Sequence, residues 1–317
     1  MRNVLIGAVG STELTLETMV SMEVTPVAVF SVESAISHRN SDFVDLGKLC
    51  KSFGVPFYLF RDINDVDILR SIETLQPDFL WVIGLSQIVK KALLGIPRFG
   101  TIGFHPSKLP RNRGRGVIAW TILQGVSKTG STLFWIDEGV DSGPILKQKT
   151  FPVDHDETVS SLMKKHGDAL REMLKETLPY LKSVKNKTDL PATIQDSSEA
   201  TWCARRIPQD GLIDWRLNAR DIWTLIRASG RPYPGAFTTW QNKEITVWSA
   251  ELREDLDGIY WGIPGQIQTF FDGFPLVQCG DTHHLLLKDF SIRGESGESL
   301  LGKDLRLHER LGGKNVQ

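Results

Sequence analysis

Through its first half the chain alternates short runs of Val, Ile, Leu and Phe with longer segments whose apolar residues recur every three or four positions. Residues 4–9, 27–32, 57–60, 79–83 and 101–104 have strand length and strand composition, whereas 14–22, 41–53, 65–75 and 86–94 carry helical spacing. That alternation predicts a Rossmann-like α/β fold, a mostly parallel sheet with helices on both faces. Residues 131–136 and 145–150 then predict a hairpin around 137–143. A strong amphipathic helix follows, with Val159, Leu162, Met163, Leu170, Met173 and Leu174 along one face. Asp154 and Glu157 read as a capping box at its start.

The texture then changes. Residues 185–198 are polar and read as a linker. Residues 211–215 predict a short strand and 218–229 a helix, with Gly230 just past its end. Short strands at 236–240, 245–252, 265–270, 276–279 and 285–292 follow at the close spacing of a small barrel or sandwich. A length of 317 residues exceeds what one core usually organises. The expected division is a catalytic domain at 1–183, a linker at 184–205 and a smaller domain at 206–317.

Chemistry concentrates at Gly103-Phe104-His105-Pro106-Ser107-Lys108-Leu109-Pro110, where a histidine leaves a strand that reads as buried. Proline fixes φ and removes a donor, so the exit is expected to be extended, with His105 aimed outward. Arg111, Arg113 and Arg115 follow on one loop, suited either to an anionic ligand or to folding back on Asp or Glu. Asp141 lies in a glycine-flanked turn within the hairpin (130–148, GSTLFWIDEGVDSGPILKQ). A histidine titrates near neutrality, and a nearby carboxylate can orient it or take a proton.

The order and spacing of these residues resemble the formyltransferases that use 10-formyltetrahydrofolate, among them methionyl-tRNA formyltransferase and the sugar N-formyltransferases. Arg231-Pro232-Tyr233-Pro234-Gly235-Ala236-Phe237 extends the likeness, since it resembles the start of that family's second domain. The resemblance implies an oligonucleotide-fold-like β-barrel for the C-terminal region. It implies 10-formyltetrahydrofolate as co-substrate and no metal, with His105 and Asp141 in two places of a catalytic trio. It further implies that the pterin ring lies against Leu85, Ser86, Gln87 and Ile88, and against Asp137, Gly139 and Val140 of the hairpin loop. Two residues before the histidine the family has an asparagine, thought to donate its amide to the developing oxyanion; here that place holds Gly103. A backbone amide or water in its stead, a side chain such as Gln87 reaching in, and a slow or inactive site all stay open.

Gly7-Ala8-Val9-Gly10-Ser11 lacks the G-x-G-x-x-G phosphate turn, although Glu33 follows the second strand where a ribose could be held. It reads as a tight first turn whose Ser11 lines an acceptor pocket. Arg113, Gly114, Arg115 and Tyr233 are the other expected acceptor contacts. His155 and His166 are eleven positions apart, about 16 Å along a helix, too far to share a metal. His283 and His284 point to opposite faces of a strand.

With 37 basic against 38 acidic residues, an extensive nucleic-acid surface is disfavoured. Cys50, Cys203 and Cys279 fit neither a disulfide framework nor zinc spacing, which suits the cytoplasm. Residues 4–9 are too short for a signal-peptide core, and no window approaches membrane-spanning length. The segment 34–46 has one Arg and two Asp, where tRNA-acting relatives carry an Arg/Lys-rich loop. The expected acceptor is therefore a nucleotide-linked amino sugar. Methionyl-tRNA, and folate binding by an impaired site, are the alternatives. Oligomeric state, a homodimer included, is open.

Overall fold

The computed structural model describes residues 1–39, 42–241, 243–292 and 305–312. It divides into two compact units. The first comprises 1–117, 127–153 and 162–205; the second comprises 118–126, 154–161 and 206–317.

The first unit begins with β1 (Asn3–Ile6), α1 (Gly10–Ser21), β2 (Ala28–Val32), α2 (Gly47–Phe53) and β3 (Phe57–Phe60). It continues with α3 (Val66–Thr74), β4 (Phe79–Val82), α4 (Lys91–Leu94), β5 (Gly100–His105) and β6 (Arg113–Gly114). After α5 (Val117–Leu123), which from Ile118 on is counted with the second unit, come β7 (Lys128–Trp135), β8 (Ile145–Pro152), α6 (Val159–Ser183) and β9 (Trp202–Cys203). Seven strands form one sheet in the order β3-β2-β1-β4-β5-β7-β8, parallel through β5 and antiparallel beyond it. The expected hairpin is β7–β8. Strand order reverses between β1 and β4, the place where such sheets open a crevice at their carboxyl ends.

Alternation along each strand builds two cores. Leu5, Val29, Trp81, Ile102 and Leu133 face one side, under Leu16 and Met19 of α1 and Leu170, Met173 and Leu174 of α6. Val4, Ile6, Phe30, Leu80 and Val82 face the other, with Ile72 of α3 and Leu93 of α4. Burial on both faces explains why these strands read as continuous apolar runs. Two expected helices are shorter than their patterns: 86–94 is helical only at Lys91–Leu94, and 41–53 only from Gly47, position 41 lying outside the described residues. The Glu157 carboxylate does reach back to the Asp154 N–H, at 3.1 Å, but in a turn ahead of α6 rather than at its first residue.

In the second unit α7 (Ala219–Ser229), capped by the Asn218 side chain, lies with β10 (Ala236–Trp240), β11 (Lys243–Leu252), β12 (Ile267–Phe271), β13 (Phe274–Gln278) and β14 (His284–Ile292). The strands make an antiparallel sheet in the order β10-β11-β14-β13-β12, with irregular register near Ser249 of β11. Its core gathers Trp215, Ile222, Ile226, Val247, Val277 and Leu287. The expected strand at 211–215 is only a bridge, Leu212 to Phe237. No described helix is long and apolar enough to cross a membrane.

His166 of α6 is buried in the first unit, with Nδ1 2.8 Å from Ser131 Oγ and its ring edge-on to Phe151. Burial, helped by the nearby His105, holds its pKa down to about 3. It is neutral in the folded chain and gains a proton near pH 6.5 when unfolded. Its linkage term therefore leaves stability intact above that pH and removes it as pH falls from about 6.5 towards 3, by ~1.4 kcal/mol per pH unit. Urea unfolding of wild type and His166→Met over this range should show a shallower pH slope in the variant. Equal slopes would contradict the assignment.

Candidate active site

His105 ends β5 at the carboxyl edge of the sheet, with Thr132 of β7 as its register partner. The expectation that it points outward is not met: His105 is only 6% exposed. The loop after it folds back instead of running away. Thr132 Oγ1 donates to the Ser107 carbonyl (2.7 Å), Gln148 Nε2 to that of Leu109 (2.8 Å), and Ser107 Oγ to that of Arg111 (2.7 Å). These bonds set the Asn112 carbonyl 2.7 Å from His105 Nε2. A carbonyl can only accept, so Nε2 carries the proton, and Nδ1 is the ring atom left to take another. That atom faces Asp141, with Nδ1 3.6 Å from Oδ2. The gap is too long for a hydrogen bond and of the kind that closes when reactants bind.

Asp141 adopts φ of +53°, a left-handed conformation uncommon outside glycine. Its Oδ2 accepts the Gly114 N–H at 2.8 Å, which fixes one oxygen. Gly114 itself has φ of +100°, and a Cβ there would stand 2.5 Å from the Cys203 carbonyl oxygen. Only glycine meets both demands. Arg113 is turned inward and buried; its Nε and Nη2 donate to Gln195 Oε1 at 3.2 and 2.7 Å. The same Gln195 donates through Nε2 to the carbonyls of Asp141 (2.9 Å) and Gly143 (2.7 Å). Arg113 is thus occupied within the fold, where the sequence suggested an acceptor contact.

Of the other loop arginines, Arg111 pairs with Glu199. Arg115 is exposed beside Arg205, and burial of part of its stem together with that second positive charge pushes its guanidinium below the usual value. Two neighbouring cations favour an anion.

The turn after β4 lies beside the first turn of α1: a Cβ on Gly84 would be 3.0 Å from Ser11 Oγ. Thr12 Oγ1 donates to the Ile83 carbonyl at 2.6 Å. Leu85 is half-buried, Ser86 exposed and Ile88 exposed. Gln87 does not reach towards His105. Its Nε2 donates to the Arg61 carbonyl (2.7 Å) and its Oε1 accepts the Ile63 N–H (2.8 Å), bracing the loop after β3. Glu33 is likewise engaged, with Arg61 at 2.7 Å. In the hairpin loop Asp137 Oδ1 accepts from Gly139 N–H (3.0 Å) and Ser142 Oγ (2.9 Å), and Val140 is exposed. An ion pair, Lys91 with Glu138 at 3.2 Å, ties this loop to the segment after residue 88. Ile88 and Val140 thus offer exposed apolar surface on two linked loops, which suits a flat heteroaromatic ring.

Gly103 is filled from outside. A Cβ there would lie 2.9 Å from Phe134 Cε1 and Cζ and from Ile136 Cγ1. Tyr233 belongs to the second unit, half-buried in the turn after α7, where its N–H donates to the Gly230 carbonyl at 3.0 Å. Cys50, Cys203 and Cys279 are all free and buried, and burial raises each thiol's pKa, that of Cys50 to about 11. Among the described residues no group of three His, Cys, Asp or Glu side chains is placed to hold a metal. Asn112, Gln195, Trp202 and Arg205 escaped the sequence reading. Gln195 in particular has partners 52 to 82 positions away, and no local pattern marks it.

Two family profiles match the chain, formyl transferase over residues 21–178 and the formyl transferase C-terminal domain over 206–299. Among solved structures, HypX from Aquifex aeolicus in complex with tetrahydrofolic acid has TM-score 0.68 and 18% identity, over 96% of this chain and 46% of that one. This chain therefore spans less than half of HypX. WlaRD, a sugar 3N-formyl transferase with dTDP and 5-N-formyl-THF, has TM-score 0.64 and 16% identity over 93% and 98% of the two chains. The N-formyltransferase from Helicobacter canadensis, in complex with folinic acid and dTDP-3-aminofucose, has TM-score 0.61 and 15% identity over 91% and 99%. At these identities the likeness is one of fold.

Proposed function

Because the chain belongs to the formyl transferase family, we propose that it moves a formyl group from 10-formyltetrahydrofolate to the amine of a nucleotide-linked amino sugar, in the cytoplasm. The observation that carries the reading is the pairing of buried His105 with half-buried Asp141, with Nε2 held on a carbonyl and Nδ1 turned to the carboxylate. When bound, the folate supplies an activated formyl carbon. Leu85, Ser86, Ile88, Asp137, Gly139 and Val140 would hold its ring. As an amine nitrogen bonds to that carbon it must shed one proton, which Asp141 and His105 Nδ1 are placed to take. The C–N bond to the folate then breaks, and the same proton can pass to the departing nitrogen. The imidazolium present in between also offers positive charge to the formyl oxygen as its charge grows.

Four observations support a nucleotide-linked sugar over methionyl-tRNA. Net charge is −1, and the segment after β2 is not basic. Arg115 beside Arg205 suits a diphosphate. Two sugar N-formyltransferases also match the chain over nearly their full lengths. The first unit, which takes in residues 184–205, is the proposed catalytic domain, and the small domain is proposed to begin at residue 206.

The test is direct. With 10-formyltetrahydrofolate, dTDP-3-aminofucose should gain one formyl mass and methionyl-tRNA none, and 5-formyltetrahydrofolate should raise the melting temperature. Formylation of the tRNA at physiological salt would overturn the acceptor. Absence of both a thermal shift and calorimetric heat at saturating folate would overturn the donor.

A further inference from the structure

The segment that reads as a linker is part of the catalytic wall. Thr193 exchanges two backbone bonds with Ile145, at 2.7 and 2.9 Å. Ten residues on, β9 runs parallel to β6, where Arg113 N–H donates to Thr201 O (2.8 Å) and Arg115 N–H to Cys203 O (3.0 Å). The Asn112 N–H donates to Thr201 Oγ1 at 2.8 Å. Residues 193–203 therefore strap together the two loops that face His105. One presents the Asn112 carbonyl and the Gly114 N–H; the other presents Asp141.

Gln195 sits at the middle of this strap, 6% exposed. Both hydrogens of its amide go to the Asp141 turn, on carbonyls two residues apart, and its oxygen accepts twice from the buried Arg113 guanidinium. All four bonding positions of the amide are in use. Arg113 in turn lies over the face of Trp202, 5.5 Å from the ring centroid. A left-handed aspartate would relax unless its surroundings over-determine it. Here the determinants are the Gln195 bonds to the carbonyls of 141 and 143 and the Gly114 bond to the carboxylate.

We propose that Arg113 and Gln195 are positioning residues, which hold the Asp141 turn so that its carboxylate stays aimed at His105 Nδ1. The proposal rests on the functional reading above for its catalytic consequence, but its structural half can be read without any substrate. Gln195→Ala removes the brace. Gln195→Glu keeps acceptors for Arg113 and removes both donors to the turn, so it separates the two halves of the amide and guards against loss of fold on leaving Arg113 unpaired.

Amide hydrogen exchange of the apo protein is the first measurement. In both variants the Gly114 amide should exchange ~10-fold faster or more, while amides of β5 and β7 keep their protection. With 10-formyltetrahydrofolate and dTDP-3-aminofucose, kcat should fall by ~10-fold to ~10²-fold, as for misplacement by about an ångström, with KM for the folate within about twofold of wild type. Wild-type exchange at Gly114 together with wild-type kcat in a folded Gln195→Glu protein would overturn the proposal. So would a fall in melting temperature with kcat unchanged, the mark of a purely structural role. If the wild-type protein transfers no formyl group, the functional reading fails, and the Gly114 amide still decides whether the brace exists.

Discussion

Replacing His105 by alanine is expected to slow formyl transfer by ~10²-fold or more, because on the proposed mechanism it deletes the atom that takes the amine's proton. The backbone around it should hardly notice. The loop from Ser107 to Asn112 is tied by bonds to Thr132, Gln148 and Thr201 that do not involve the imidazole. The loss should therefore fall on kcat, with folate affinity retained. Asp141→Ala should cost a comparable factor, since the imidazolium formed at Nδ1 then has no carboxylate opposite it. If the two side chains pass one proton between them, removing either removes the same function, and the double variant should be little slower than either single one. Single-turnover rates with excess enzyme measure this without interference from product release. Costs that multiply in the double variant would mean two independent roles, and a loss below ~10-fold for His105→Ala would remove the histidine from proton transfer.

Much of the fold was legible because its strands are buried on both faces. Val27-Ala28-Val29-Phe30 and Phe79-Leu80-Trp81-Val82 need no alternation to be recognised, only length and bounding turns. Where burial is uniform in a helix the same signal misleads. Val117–Leu123 is apolar but for the buried Thr121, offers no polar face, and was not recognised as α5. The residues 86–90 failed in the opposite sense. Their apolar spacing suits a helix, but Gln87 is bonded to residues 61 and 63 and Lys90 N–H to Asn64, so the chain is held as a turn until Lys91. At the candidate site, the motifs singled out His105 and Asp141, which the structure places 3.6 Å apart, but not their surroundings. The burial of His105 depends on a loop returning through Thr132 and Gln148. The Asp141 turn depends on Gln195, a lone amide in a polar tract. Two-residue strands such as β6 and β9 have no period to detect. What sequence could not supply was tertiary hydrogen bonding between segments far apart in the chain.

Gly103→Asn is expected to give no gain in turnover and a measurable loss of stability. An asparagine at this place is the resemblance's route to a donor for the formyl oxygen, and its absence raises the question whether the site is impaired or rebuilt. The structure bears on it through volume. The position is directly opposite Phe134 in the register of β5 and β7, and both Phe134 and Ile136 approach to 2.9 Å of where even a Cβ would stand. Phe134 is itself buried. Adding four heavy atoms here forces the ring or the strand to move, an overpacking that costs ~1–3 kcal/mol. A displaced strand end would also shift His105, two residues on, so turnover should fall with stability. Thermal unfolding and single-turnover transfer should both be measured for Gly103→Ala and Gly103→Asn. Alanine tests the steric part alone, since it adds the Cβ without an amide. If both variants lose stability and rate together, the glycine belongs to a site packed around it, and charge on the formyl oxygen is met by His105 and other groups. A rise in turnover for asparagine over both glycine and alanine would mean that room and geometry for the amide exist after all. The chain would then be a formyltransferase lacking one of its catalytic donors.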